Sequence, residues 1–196
     1  MSLGLITDRA VVDVNDLKAL RKKIMERTAT PAEWTLWLTD LKGGYNDSDL
    51  NRVNDAMDTV ATYLNTAPTT LAAYLAALGV APDSLFEMGY ATPVTVNTTN
   101  TWAQSDDVQA TDMATYLNNL ATLRAVLALP PDTPAVPASM ALISYTDAND
   151  IEEILEVVYA TAQDKLAALE QLADNTAASW VFCGQPPCGL VNIQLS

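Results

Sequence analysis

Apolar residues recur at three- and four-residue steps along most of the chain, the spacing that builds one face of a helix. Leu17, Leu20 and Ile24 predict a first helix over about residues 14–27. "TATPAEW" predicts the next start: Thr30 as N-cap, Pro31 at the first helical position and Glu33 closing a capping box. Trp34, Trp37, Leu38 and Leu41 form its apolar stripe, which assigns both tryptophans to the core. Gly43 and Gly44 are read as its stop, because glycine tolerates the left-handed conformation at a helix end. Leu50, Val53, Met57, Val60 and Leu64 define a third helix. "APTT" breaks the pattern, and Leu71, Tyr74, Leu75 and Leu78 make a short fourth helix ending at Gly79. These four are expected to pack as one bundle. A further helix starts at Asp112 and buries Met113, Tyr116, Leu117, Leu120, Leu123 and Leu127. Ile151, Ile154, Leu155 and Val158 open the last one, which its alanine-rich continuation carries to about residue 174.

Three stretches depart from this periodicity. "GYATPVTVNTTNTW" is rich in Thr, Asn and β-branched residues and predicts a strand around 93–98. "LPPDTPAVPAS" (129–139) reads as a stiff, extended linker. "SWVFCGQPPCGLVNIQLS" (179–196) has two short apolar runs around a turn and reads as a hairpin, a strand on its own domain or an arm for another chain. The fold class is therefore mainly α: short helices in an irregular bundle, a small extended or β segment near 90–100 and a β-like C-terminal arm. The regions are a helical 1–79, an extended segment plus helix over 80–128, a linker at 129–140, a long helix within 141–178 and the arm at 179–196.

An Asp followed by an apolar residue, two variable positions and another apolar residue occurs four times. The copies begin at Asp16, Asp49, Asp112 and Asp150, and Tyr45, Trp102 and Tyr145 precede three of them. Asp is favoured in a first turn by the free N–H groups and the helix dipole, and an aromatic upstream can cover the helix entry. Spacings of 33, 63 and 38 residues rule out a strict solenoid period. Asp-apolar steps are also common in any acidic helical chain, so the pattern leaves open whether the copies are one module.

Composition then narrows the chemistry. With 24 acids against 10 Lys and Arg the net charge is −14, which disfavours nucleic acid and anionic membranes as partners. The absence of histidine removes the commonest general base and zinc ligand. The N-terminus lacks the charged region and apolar run of a secretion signal, so assembly in the cytoplasm is expected. "DSDLNRVNDAMD" (47–58) mimics a calcium loop at Asp47, Asp49 and Asn51, but Arg52 replaces the glycine and Asp58 the final glutamate that such a loop requires. Asp106, Asp107, Asp147, Asp150, Glu152, Glu153 and Glu156 read as solvated acids at helix starts. Cys183 and Cys188 are spaced wrongly for a redox pair and read as free turn thiols. No cofactor is expected.

"ITDR…DV" (6–14) and "W…LKGGYNDSDLNRVNDAMDTVATYL" (37–64) resemble a segment of structural proteins encoded in phage and prophage tail modules. The likeness continues through "MATYLNNLATLRAVLALPPDTPAVPASM", "LISYTDANDIEEIL" and the "SWVFCGQPPCG" ending, where relatives carry Tyr, Ser and Glu in place of Cys and Pro. The resemblance implies a non-enzymatic virion component of the tail tip, baseplate or fibre-attachment region, self-associating and bound to other tail proteins. Within that expectation Trp102, Trp180, Phe182, Cys183, Cys188 and Leu190 are candidate contact residues, and Thr30, Glu33, Gly43, Gly44, Tyr45, Asp49, Asp112 and Asp150 are architectural. Two alternatives are a glycan-binding module using Trp102 and a cell-wall hydrolase using paired carboxylates.

Overall fold

The computed structural model describes residues 3–39, 41–91 and 93–182, the last three by backbone alone. Five helices follow in order: α1 (Val11–Met25), α2 (Pro31–Trp37), α3 (Asp47–Leu78), α4 (Ala110–Arg124) and α5 (Tyr145–Phe182), with one 3₁₀ turn at Ser84–Phe86. The mainly helical reading holds, and no strand occurs among the described residues.

The frame is a parallel pair. Arg52 of α3 meets Glu152 of α5, the Tyr63 ring meets Tyr159 edge-on at 5.1 Å, and Tyr74 donates to Asp174 at 2.7 Å. Positions from 52 to 74 thus match positions from 152 to 174, about 33 Å along both helices at 1.5 Å per residue. α4 packs against both, and Met57, Leu64, Leu120, Leu123, Ile151, Ile154 and Leu155 close the main core without exposure. A smaller cluster around Leu71, Leu75, Phe86, Met88 and Ala173 seals the far end.

α3 is one helix of 32 residues, not two, and Pro68 lies inside it. Proline removes the N–H that would reach the carbonyl four residues back. That carbonyl belongs to Leu64, and the Tyr90 hydroxyl donates to it at 2.7 Å. The loop after α3 therefore supplies the donor that proline withholds, and burial pushes the Tyr90 phenol up to about 12. Tyr90→Phe is expected to lower stability by about 1 kcal/mol, and the loss should vanish in a Pro68→Ala background where the helical N–H returns. Urea unfolding of the two single variants and the double variant checks this; equal losses in both backgrounds would contradict it.

The predicted strand at 93–98 is extended chain paired to side chains rather than to another strand. Asn65 accepts from Val94 N–H at 2.6 Å and donates to its carbonyl at 2.9 Å. Asn119 of α4 does the same to Asn97, and Asn51 to Trp102. A carboxamide offers one acceptor and two donors, so it can replace a neighbouring peptide group. Asn54 on Thr99, and Asp55 and Asp58 on Thr98 and Asn100, complete the row. The segment thus runs antiparallel to α3, held by a polar stripe of that helix.

The proline-rich stretch also differs from an extended spacer. It turns at residues 131–133, and Arg124 at the end of α4 donates to the carbonyls of Thr133 and Pro134. Val136 and Leu129 pack on the main core.

Each of the five helices begins with an acid at the third position accepting from the N-cap amide, and at Thr30, Asn46 and Ser144 the N-cap side chain accepts in return from the acid's own N–H. The pairs are Asp13 with Ala10, Glu33 with Thr30, Asp49 with Asn46, Asp112 with Gln109 and Asp147 with Ser144. The repeating Asp step marks the cap correctly at Asp49 and Asp112. In α1 and α5 it falls three residues late: the capping acids are Asp13 and Asp147, and Asp16 and Asp150 lie in the following turn. α1 accordingly starts at Val11, and α5 starts at Tyr145 and runs on to Phe182, past the predicted end at 174.

α2 departs most from expectation. It buries no residue; Trp34 is exposed, and Leu38 is 77% exposed. Its end lies at Trp37, well before the glycines, and neither Gly43 nor Gly44 has a positive φ. Gly43 is required for another reason: a Cβ there would sit 2.1 Å from the Asp13 carbonyl oxygen, so the junction before α3 passes directly under the start of α1. Gly43→Ala is expected to cost about 1–3 kcal/mol, because backbone rather than a flexible side chain must move. Gly44→Ala meets only the Leu17 side chain, at 3.3 Å, and should cost less in the same thermal melts.

Candidate functional site

The polar centre of the molecule forms where the N-terminal segment, the head of α3 and the head of α5 meet. Arg9 reaches Asp49 at 2.6 Å and Glu152 at 2.8 Å, and all three side chains are buried. Arg52 bridges the same two acids, lying 2.9 Å from Glu152 and in direct contact with Asp49 one helical turn away. Two cations thus alternate with two anions, a neutral set that low dielectric would otherwise make very costly. Burial works against the Arg52 charge, but its hydrogen bonds to Glu152 and Asp49 more than offset this and raise its pKa.

Backbone groups tie the cluster to the chain start. Arg9 donates to the Ile6 carbonyl, Ile6 N–H donates to Glu152, and Asn149 clamps the Arg9 peptide through its N–H and its carbonyl. Tyr45 forms the lid. Its ring lies 5.6 Å from the Arg9 guanidinium carbon, and its hydroxyl is 2.5 Å from that of Tyr116. Glu152 is the main surprise: read as a solvated acid, it has no exposure at all, while Glu153 beside it is exposed. No local signal separates the two acids; the packing of α5 on α3 turns one of them inward.

Burial, and then the carboxylates of Glu152 and Asp49, push the Tyr45 phenol up; burial and the Tyr45 ring do the same to Tyr116. A phenol with a folded pKa above its unfolded value contributes stability that is complete below about pH 10 and is lost as pH rises toward the folded value. Unfolding midpoints are therefore expected to stay level from neutral pH to about 10 and to fall above it. The tyrosinate absorbance contributed by Tyr45 and Tyr116 should rise together with loss of helix. Ionisation of all seven tyrosines near pH 10 with helix intact would contradict this.

The other predicted residues are dispersed. Thr30 and Glu33 form the expected capping box on α2. Lys23, and after it the Thr30 amide and hydroxyl, hold the Glu33 carboxyl down at about 2. Trp102 is half-buried against the main core with its peptide clamped by Asn51, and its indole N–H is enclosed beside a cavity of about 90 Å³. Trp180 and Phe182 belong to α5 by backbone, so the arm predicted from residue 179 begins as helix. Cys183, Cys188, Leu190 and the rest of that arm lie outside the described residues. Among the described residues no group of His, Cys, Asp and Glu is placed to hold a metal ion, and no helix is long and apolar enough to cross a membrane. Comparisons with protein-family models, curated proteins and solved structures gave no match.

Proposed function

We propose that this chain is a structural component of a tailed-phage particle, working through subunit contacts in the tail tip, baseplate or fibre-attachment region. One observation carries the reading. Three stretches that bear the resemblance to tail-module proteins, 6–14, 37–64 and 142–155, meet at the buried ion cluster through Arg9, Tyr45, Asp49, Arg52 and Glu152. The residues of the likeness are thus spent on holding helices together, and the likeness is one of architecture.

The glycan-binding alternative would rest on Trp102, which is half-buried against the main core with its peptide clamped by Asn51. The carboxylate-hydrolase alternative asks for two acids facing a cleft; Asp49 and Glu152 do converge, but on two arginines inside the core.

Mass spectrometry of purified particles from the phage or prophage that encodes the chain, with gold-labelled antibody in electron microscopy, tests the proposal. The chain is expected in particles at stoichiometric amounts and labelled at the tail. Its absence from particles that carry their full set of tail proteins would overturn the reading.

A further inference from the structure

The α1–α2 hairpin differs from the rest of the molecule in two independent respects. First, its apolar residues are left uncovered. Val11, Val12, Met25, Trp34, Leu36 and Leu38 all lie between about two-fifths and four-fifths exposed, and Leu20 is the one buried residue of the two helices. The principal helix partner of α1 is α2, so the hairpin stands beside the bundle instead of within it. Second, residues 11–39 hold five cations against four acids, a charge of +1, which leaves −15 on the remainder of a chain whose total is −14. Lys18, Arg21 and Lys22 are exposed on α1.

The bundle has the matching surface. A groove of about 490 Å³ opens between the heads of α3 and α4 and the 138–143 segment. Leu50, Val108, Met113, Leu117, Met140 and Ile143 line it. Exposed Asp106 and Asp107 directly precede Val108 at its edge. Between Ala141 and Ile143, Leu142 is fully exposed with φ of 60°, a conformation that a leucine rarely adopts.

We propose that the α1–α2 hairpin seats on a second copy of this chain, placing Trp34 and Leu38, one turn apart on the same face, in the apolar groove and the α1 cations against its acidic edge. Charge selects the occupant: apart from this hairpin the chain is strongly acidic, and like acidic faces repel. A contact between two copies covers both unfilled apolar surfaces, and it closes as a pair or continues as a ring according to its symmetry. The inference rests on the structural-protein reading and names one of its partners.

Light scattering and sedimentation of the full chain at low and high salt test it. The wild type is expected to self-associate, at least tenfold more weakly at high salt. Leu38→Ser and the triple reversal K18E/R21E/K22E change exposed positions, so the melting temperature should stay near that of the wild type while association weakens at least tenfold. Asp107→Lys should weaken association alone and restore part of it in the triple-reversal background, which a folding defect would not do. A wild type that stays monomeric, or an oligomer indifferent to all three changes, would overturn the proposal. So would a monomer that binds anionic vesicles through Lys18, Arg21 and Lys22, in favour of a lipid surface. A monomeric chain still present in particles would end this inference and leave the structural-protein reading standing.

Discussion

Arg9→Met is expected to destabilise the protein by about 3–5 kcal/mol, the usual cost of removing one partner from a buried ion pair. Asp49 and Glu152 would then face Arg52 alone, and the buried set would carry a net negative charge. The loss should depend on charge balance more than on contact. In R9M/E152M one buried cation and one buried anion remain, Arg52 and Asp49, and the set is neutral again. Most of the stability lost in Arg9→Met should return, giving a coupling of about 2 kcal/mol or more between the two sites. Urea unfolding followed by circular dichroism measures all three variants. Additive losses would show that Arg9 and Glu152 act separately. Hydrogen exchange adds a second readout. In Arg9→Met the amide of Ile6, which donates to Glu152, should lose protection before the amides of the α3 and α5 cores do.

Asn65→Leu is expected to cost about 2–4 kcal/mol. The substitution puts an apolar side chain of similar size in place of the carboxamide and leaves the N–H and the carbonyl of buried Val94 without the partners that Asn65 supplies. Each unsatisfied buried group costs about 1–3 kcal/mol. Asn65→Asp keeps the acceptor and loses the donor, so it should cost less than Asn65→Leu and preserve protection of the Val94 amide. Asn65→Leu should lose that protection while α5 stays protected, since the 94–102 segment is held from outside the helical frame. If both variants leave the Val94 amide equally slow to exchange, the clamp is not what orders the segment.

Periodicity identified the long helices because their core faces are nearly continuous. Leu50, Val53, Met57, Val60 and Leu64 lie buried on α3, and Ile151, Ile154, Leu155 and Val158 on α5, as the three- and four-residue spacing predicted. It failed at Pro68, because the donor that rescues the Leu64 carbonyl comes from Tyr90, beyond the end of the helix. It failed again at 93–98, where β-branched residues gave a true extended conformation and the hydrogen-bond partners were asparagine side chains, invisible to a search for a second strand. The α2 stripe misled for the opposite reason. Trp34 and Leu38 are apolar enough for a core, but among the described residues no surface covers them.

The sequence alone determined what local physics controls: helical class, the reciprocal caps at Thr30 and Asn46, the stop at Gly79 and the strong acidity. Each depends on residues a few positions apart or on composition. Only the tertiary structure decided which charges are buried. "ITDR", "GGYNDSDLNRV" and "DANDIEEI" hold contacting residues up to 146 positions apart, and nothing in any one of them distinguishes Glu152 from Glu153. The parallel packing of α3 on α5 does so, by turning one of two adjacent acids toward two arginines and leaving its neighbour in water.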